Sequence, residues 1–207
     1  MKNIIRNIYS KIRINKSLFI FLIIIVIIGL ITGSIFSLLM DNNDKELVTN
    51  YLANFFNTIK NNELNYNLTF SNTLFFTLGF ALLIWLLGIS IIGFLIIILL
   101  LYLKAFILGF VSSSIILNYK FKGIFFDIAY LFPHQIINMM IFILISAYAL
   151  IVSFKLIEAI AKKKTLDFKN IINKFLFILI FSLFILLLTS LYEVYIVPKL
   201  LNLILKI

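Results

Sequence analysis

The chain has 207 residues, 63% of them apolar and 13% charged, and its mean hydropathy is +1.17. A soluble domain runs at roughly 45–50% apolar and 25% charged, and a soluble globule of 24.0 kDa keeps too much of its surface wet to hide this excess. With no Cys to form disulfides, composition excludes an ordinary soluble enzyme, a disordered chain and a disulfide-stapled secreted module. It leaves an all-α polytopic membrane protein, with 1–207 as one integral-membrane domain. Lys and Arg outnumber Asp and Glu by 18 to 8. In a soluble chain that would suggest nucleic acid; here no nucleic-acid partner is expected, because basic residues collect on the cytoplasmic side of membrane proteins. One His and eight scattered acids are too few to suggest a metal site, so no metal and no cofactor is expected.

Residues 1–16 carry Lys2, Arg6, Lys11, Arg13 and Lys16 and no acid. Leu18 to Met40 then gives 23 uncharged residues. At 1.5 Å per residue that is roughly 34 Å of helix, enough to cross a hydrocarbon core of about 30 Å with some tilt. A cleavable signal peptide would have a shorter apolar core followed by an A-x-A pattern, which is missing. The segment reads as a retained first span, about 18–40.

Residues 41–72 form the one long polar segment. Asn43 followed by Glu46 fits a capping box at a helix start. Val48, Tyr51, Leu52, Phe55 and Ile59 recur at three- and four-residue steps, with Asn50, Asn54, Asn57 and Asn61 opposite. The pattern predicts an amphipathic helix over about 44–60, outside the bilayer core. It either rests on the membrane and the spans or offers a docking face for another protein, centred on Tyr51, Leu52 and Phe55.

Thr73 to Asn118 runs 46 residues with Lys104 as its single charge, too long for one span. Gly88, Ser90 and Gly93 suggest a tight turn, giving spans at about 73–91 and 94–117; the alternative register turns at Lys104. A Lys at a helix centre costs about 2.5–3.5 kcal/mol on insertion scales, and each Leu, Ile, Phe or Val returns about 0.3–0.6 kcal/mol. Residues 94–117 hold 17 of those four types, so they insert even with Lys104 inside, and both registers stay open.

Asn118, Lys120, Lys122 and Asp127 mark a short polar connection over 118–131. Pro133 then opens a fourth span, 133–154, since Pro is well tolerated in a first helical turn. Residues 155–174 form a loop with six Lys against Glu158 and Asp167. A fifth span covers about 175–192, closed by Glu193, and an apolar tail over 193–207 is broken by Pro198. With the N-terminus inside, residues 1–16 and 155–174 place eleven basic residues in the cytoplasm, against six across 41–72, 118–131 and 193–207. The bias gives an N-in, C-out topology and gathers the amphipathic helix, His134, Glu193 and the tail on the extracytoplasmic face.

Few polar residues stand out within the spans. Lys104 is either a paired charge or part of an ion path, or a side chain that snorkels or bonds to backbone carbonyls. Ala105 and Gly109, like Gly29 and Gly33, form small-xxx-small steps that allow close helix approach. His134 fits a cap or a hydrogen bond within the bundle better than a ligand role. Glu193 is either a solvated helix-end acid or the partner of Lys199, Lys120 or His134. Trp85 lies deep in the second span and reads as packing. The sequence has no nucleophile elbow, phosphate loop, paired carboxylates or HExxH motif. So few acids also argue against a self-contained ion-coupled transporter.

Four strings, taken in order, resemble one family. They are Asn15-Lys16-Ser17-Leu18-Phe19-Ile20, then the run from Trp85 through Gly88 to Gly93, then Lys104-Ala105-Phe106-Ile107-Leu108-Gly109-Phe110, and Glu193-Val194-Tyr195-Ile196-Val197-Pro198. Their order and spacing resemble the stage II sporulation protein M membrane family from about residue 15 to the C-terminus. Many members of the wider family have Pro-His-Gly and then Glu before the fourth span; here Pro133-His134 match, while Gln135 replaces the Gly and Asn138 the Glu. Lys104-Ala105 stand where Asn-Gly is common. The resemblance implies a role in endospore formation, in the septal membrane on the mother-cell side. It also implies partnership with stage II sporulation proteins D and P, which degrade peptidoglycan during engulfment, and it brings no catalytic residue.

The expected function is thus a non-enzymatic membrane scaffold that recruits or organises those hydrolases, with Tyr51, Leu52, Phe55, His134 and Glu193 as candidate docking residues. The bilayer is its other partner, and a homo-oligomer stays open. The alternative is a permease-like transport subunit using Lys104 and the broken second and third spans.

Overall fold

The structure, a computed structural model, describes residues 16–131, 133–162 and 168–205. Lys2, Arg6, Lys11 and Arg13 of the basic flank and the middle of the 155–174 loop lie outside these residues. The described residues form seven helices: α1 (Lys16–Leu39), α2 (Asn42–Lys60), α3 (Tyr66–Gly88), α4 (Gly93–Tyr130), α5 (His134–Lys162), α6 (Phe168–Tyr195) and α7 (Val197–Leu205). Five stretches, carried by α1, α3, α4, α5 and α6, are long and apolar enough to cross a membrane. The all-α polytopic class and the five spans agree with the sequence.

Several helices outrun the expected spans, because an uncharged run marks only the hydrocarbon-depth part of a helix. α3 starts at Tyr66 rather than Thr73, since the Asn65 side chain caps it by accepting from the Leu68 N–H at 3.2 Å. α5 continues to Lys162 and α6 begins at Phe168. The capping box expected at Asn43 and Glu46 does not form. The N-cap of α2 is Asp41, without a side-chain cap bond, and Asn43 lies within the first turn. α2 ends where Asn62 takes a positive φ of 56°, a left-handed conformation that Asn tolerates better than most residues.

The second and third spans turn at the glycines. α3 ends at Gly88 and α4 begins at Gly93. A side chain at Gly93 would collide with the Leu87 carbonyl, so the turn needs that glycine. Ser153 Oγ donates to the Ser90 carbonyl at 2.9 Å and pins the turn to α5. Lys104 therefore lies inside α4, and the register that turns at Lys104 is excluded.

The 118–131 connection is helical, not a loop. α4 breaks at Lys120 (φ 52°, ψ −126°), and 121–130 folds back along the end of the first limb. Gly123 packs so closely there that an added Cβ would lie 2.6 Å from the Ile115 carbonyl oxygen. Ser112 Oγ donates to Asp127 Oδ2 at 2.7 Å across the fold. The C-terminal tail is also helical, with Pro198 in the first turn of α7, where its missing N–H costs nothing.

α1 lies parallel to α4, and their small-residue steps meet. Cβ atoms added at Gly29 would touch Ala105 Cβ and the Tyr102 carbonyl at 2.8 Å, and at Gly33 and Gly109 would strike the carbonyls of Phe106 and Leu30. Backbones this close bring hydroxyls into reach: Thr32 and Tyr102 are 3.0 Å apart, Ser37 and Ser114 2.8 Å, and Ser34 Oγ donates to the Gly109 carbonyl at 3.1 Å. Such contacts hold spans together where the hydrophobic effect cannot, since lipid is as apolar as Leu.

α5 is the central helix. Of its most apolar stretch 72% is buried, against 22% for α1, whose exposed Ile and Phe side chains face lipid. A second, smaller core lies at the α2 end of the bundle. There Phe56 and Ile59 of α2 pack with Ile115 and Phe126 of α4 and with Val197 and Leu201 of α7.

Candidate functional site

Most of the polar side chains buried in the bundle lie on α5 and α6, along the seam between them. Pro133 starts the first turn of α5, with its carbonyl accepting from the Ile137 N–H at 3.3 Å. That turn directs His134 inward, where it is fully buried, with Nε2 3.7 Å from Glu193 Oε2 on the last turn of α6. Tyr130 and Tyr192 flank the imidazole at 6.3 and 6.1 Å. One turn deeper, Thr189 Oγ1 donates to Asn138 Oδ1. After an apolar turn, Ser146 and Ser182 are fully buried in the same antiparallel register. Neither hydroxyl, and neither nitrogen of His134, has a hydrogen-bond partner among the described residues.

Lys104 reaches this seam from α4. Its Nζ lies 5.7 Å from the Phe80 ring centroid and 5.8 Å from that of Phe142, so two aromatic faces hold the ammonium. Its charge also interacts with that of Glu193. The intramembrane Lys is thus held between two rings, and the partner of Glu193 among the described residues is His134 rather than Lys120 or Lys199. Trp85 stacks on Phe175 at 5.4 Å, as a packing residue would.

Above Glu193 a cavity of about 170 Å³ opens among α2, α3, the fold-back limb of α4 and the α6–α7 junction. Phe55, Tyr66, Thr69, Tyr130, Glu193 and Val197 define it. Among the described residues no group of three or more His, Cys, Asp or Glu could hold a metal ion.

The expected docking residues do not share one surface. Tyr51 is 80% exposed, whereas Leu52 is half-buried against the second core and Phe55 packs edge-on against Phe56 and Tyr130. Phe56, which the periodicity passed over, is the buried anchor of α2. His134 is sealed inside, and the Glu193 side chain keeps 20% of its surface accessible. The sequence reading also missed Thr189, Tyr130, Phe80 and Phe142. The available signal was the four-residue spacing of His134–Asn138 and of Thr189–Glu193, polar stripes on otherwise apolar helices.

A bundle of five membrane-length helices, with buried polar groups along its central seam and at the α1–α4 crossing and two shorter helices across one end, defines a multi-pass α-helical membrane protein. The chain belongs to the stage II sporulation protein M family, whose sequence profile matches residues 18–198, and it is a membrane protein of sporulation. No curated protein and no solved structure matches it.

Proposed function

We propose that this protein is a non-enzymatic scaffold of the engulfment machinery. It sits in the mother-cell septal membrane and organises peptidoglycan-degrading partners, stage II sporulation proteins D and P, at its extracytoplasmic face. The observation that carries this reading is the mounting of α2. Phe56 and Ile59 root the helix in the second core, while Leu47 and Tyr51 stand 60% and 80% exposed on its outer side. A helix fixed on one face, with Leu47 and Tyr51 standing among Asn50, Asn54 and Asn57 on the exposed side, suits a docking element. The family is not known for enzymatic activity, which agrees with a role exercised through position.

Co-purification from sporulating cells tests the proposal. Wild-type protein retains both hydrolases, and Leu47→Lys with Tyr51→Lys loses them while still inserting in the membrane. Retention by that variant overturns the docking role of α2. Charge at Leu52 or Phe55 should instead disrupt the fold, since both pack inward. The transport reading draws on Lys104 and the buried hydroxyls beneath it; solute flux into proteoliposomes that disappears with Lys104→Ala would replace the scaffold with a permease subunit.

A further inference from the structure

The cavity over Glu193 is unused by a scaffold that docks only through the outer side of α2. Among the described residues, Glu193 is the only charged one lining it. Its ion-pair neighbour, His134, stays at 3.7 Å, outside hydrogen-bond reach, and Lys104 acts on it from deeper in the bundle. The carboxylate therefore has accepting capacity left on the cavity side. Around it stand the rings of Phe55, Tyr66 and Tyr130, and Val194, Val197 and Leu201 form an apolar wall. A carboxylate floor, aromatic sides and an apolar wall complement a cation carried on an aliphatic stem.

We propose that this cavity receives one lysine or arginine side chain of the protein that docks on α2 and α7, its cation meeting Glu193 and its stem lying on the apolar wall. The identity of the donor rests on the scaffold reading; the chemistry of the site does not. A protein side chain is favoured over a lipid headgroup because the cavity is framed by α2, too polar to span, and by the nine-residue α7, both across the end of the bundle beyond the apolar stretches of the spans.

The test uses the full chain in nanodiscs of phosphatidylcholine and phosphatidylglycerol, titrated with N-acetyl-lysine methylamide and with its uncharged counterpart N-acetyl-norleucine methylamide. Saturable binding of the lysine probe, at least about tenfold tighter than the norleucine probe, is the expected result, a ratio equivalent to about 1.4 kcal/mol. Glu193→Gln abolishes that preference. Thr69→Leu, which fills the cavity without touching the carboxylate, blocks both probes, and Lys104→Met tightens lysine binding by removing the competing cation. Equal binding of the two probes, no binding, or a preference that survives Glu193→Gln or Thr69→Leu overturns the site. Displacement of the lysine probe by phosphatidylethanolamine added to the disc assigns the cavity to a lipid headgroup and overturns the docking assignment. Failure of the scaffold reading shows separately, as hydrolases that do not co-purify with wild-type protein.

Discussion

Substituting Gly33 with Ala tests the α1–α4 crossing directly. The new Cβ would lie 2.8 Å from the Phe106 carbonyl carbon and 3.0 Å from the Phe110 nitrogen, and closer still to the Phe106 oxygen. All three are backbone atoms, so no side chain can swing away and the helices must part by about 1 Å, an overpacking strain worth about 1–3 kcal/mol. The parting also stretches the bonds between Thr32 and Tyr102, Ser34 and Gly109, and Ser37 and Ser114. Interhelical bonds in a bilayer average about 0.6 kcal/mol, so three add about 2 kcal/mol. The expected loss is about 3 kcal/mol or more. Gly79 is the control, because nothing lies within 4 Å of a Cβ placed there; Ala at that site should be neutral or stabilising by up to about 1 kcal/mol. Unfolding by SDS in mixed micelles, followed through the fluorescence of the single Trp, Trp85, reads both variants. If Gly33→Ala and Gly79→Ala unfold at the same SDS fraction, the close crossing is wrong.

Lys104→Met and Glu193→Gln each leave one buried charge without its counter-charge and should cost about 1–3 kcal/mol, whereas the double variant should cost about 1 kcal/mol less than their sum. Strict additivity in the same unfolding assay would show that the two charges do not interact. Phe56→Ala removes a ring that meets Tyr119 at 5.0 Å and Phe126 at 4.8 Å; it should cost about 3–5 kcal/mol and release α2 to protease. Tyr51→Asp, on the exposed side of the same helix, should stay within about 0.5 kcal/mol of wild type, and equal protease sensitivity of the two would reverse the assigned faces. The absence of Cys makes single-cysteine labelling clean. Asn61→Cys and Lys199→Cys should react with a membrane-impermeant maleimide from outside intact cells, and Lys155→Cys only after permeabilisation; the opposite pattern would invert the topology.

The spans were legible because lipid solvation imposes a simple demand, some twenty residues without charge, and Leu18–Met40 or Thr73–Asn118 meet it visibly. The glycines were legible as a class, since close approach needs small residues. Which glycine faced which carbonyl was not, because that depends on the parallel setting of α1 on α4. The fold-back at Lys120 was hidden for a related reason. Asn118, Lys120, Lys122 and Asp127 look like a solvated loop, yet Gly123 lets 121–130 lie against Ile115, and Ser112 gives Asp127 a partner. On α2 the three- and four-residue rule selected Tyr51 and passed over Phe56. A helix wedged between α4 and α7 buries a broader arc than one resting on a flat surface, and sequence periodicity alone does not tell the two apart. The column from Lys104 to Glu193 combines side chains from three helices, so its members were visible singly and their assembly was not.

The pairing of α1 with α4 constrains how the protein is made. Ser34 and its acceptor Gly109 are 75 residues apart, so the first span leaves the ribosome and enters the bilayer well before its mate has been synthesised. In that interval the groove of Gly29 and Gly33 is unfilled by its own chain, and the hydroxyls of Thr32 and Ser34 have only the carbonyls of their own helix to donate to. α2 and α3 must already be threaded when α4 arrives alongside. A nascent polypeptide stopped short of Gly109 would therefore keep its first span as an isolated, unlocked helix, and assembly of the bundle would begin only once the third span has been delivered.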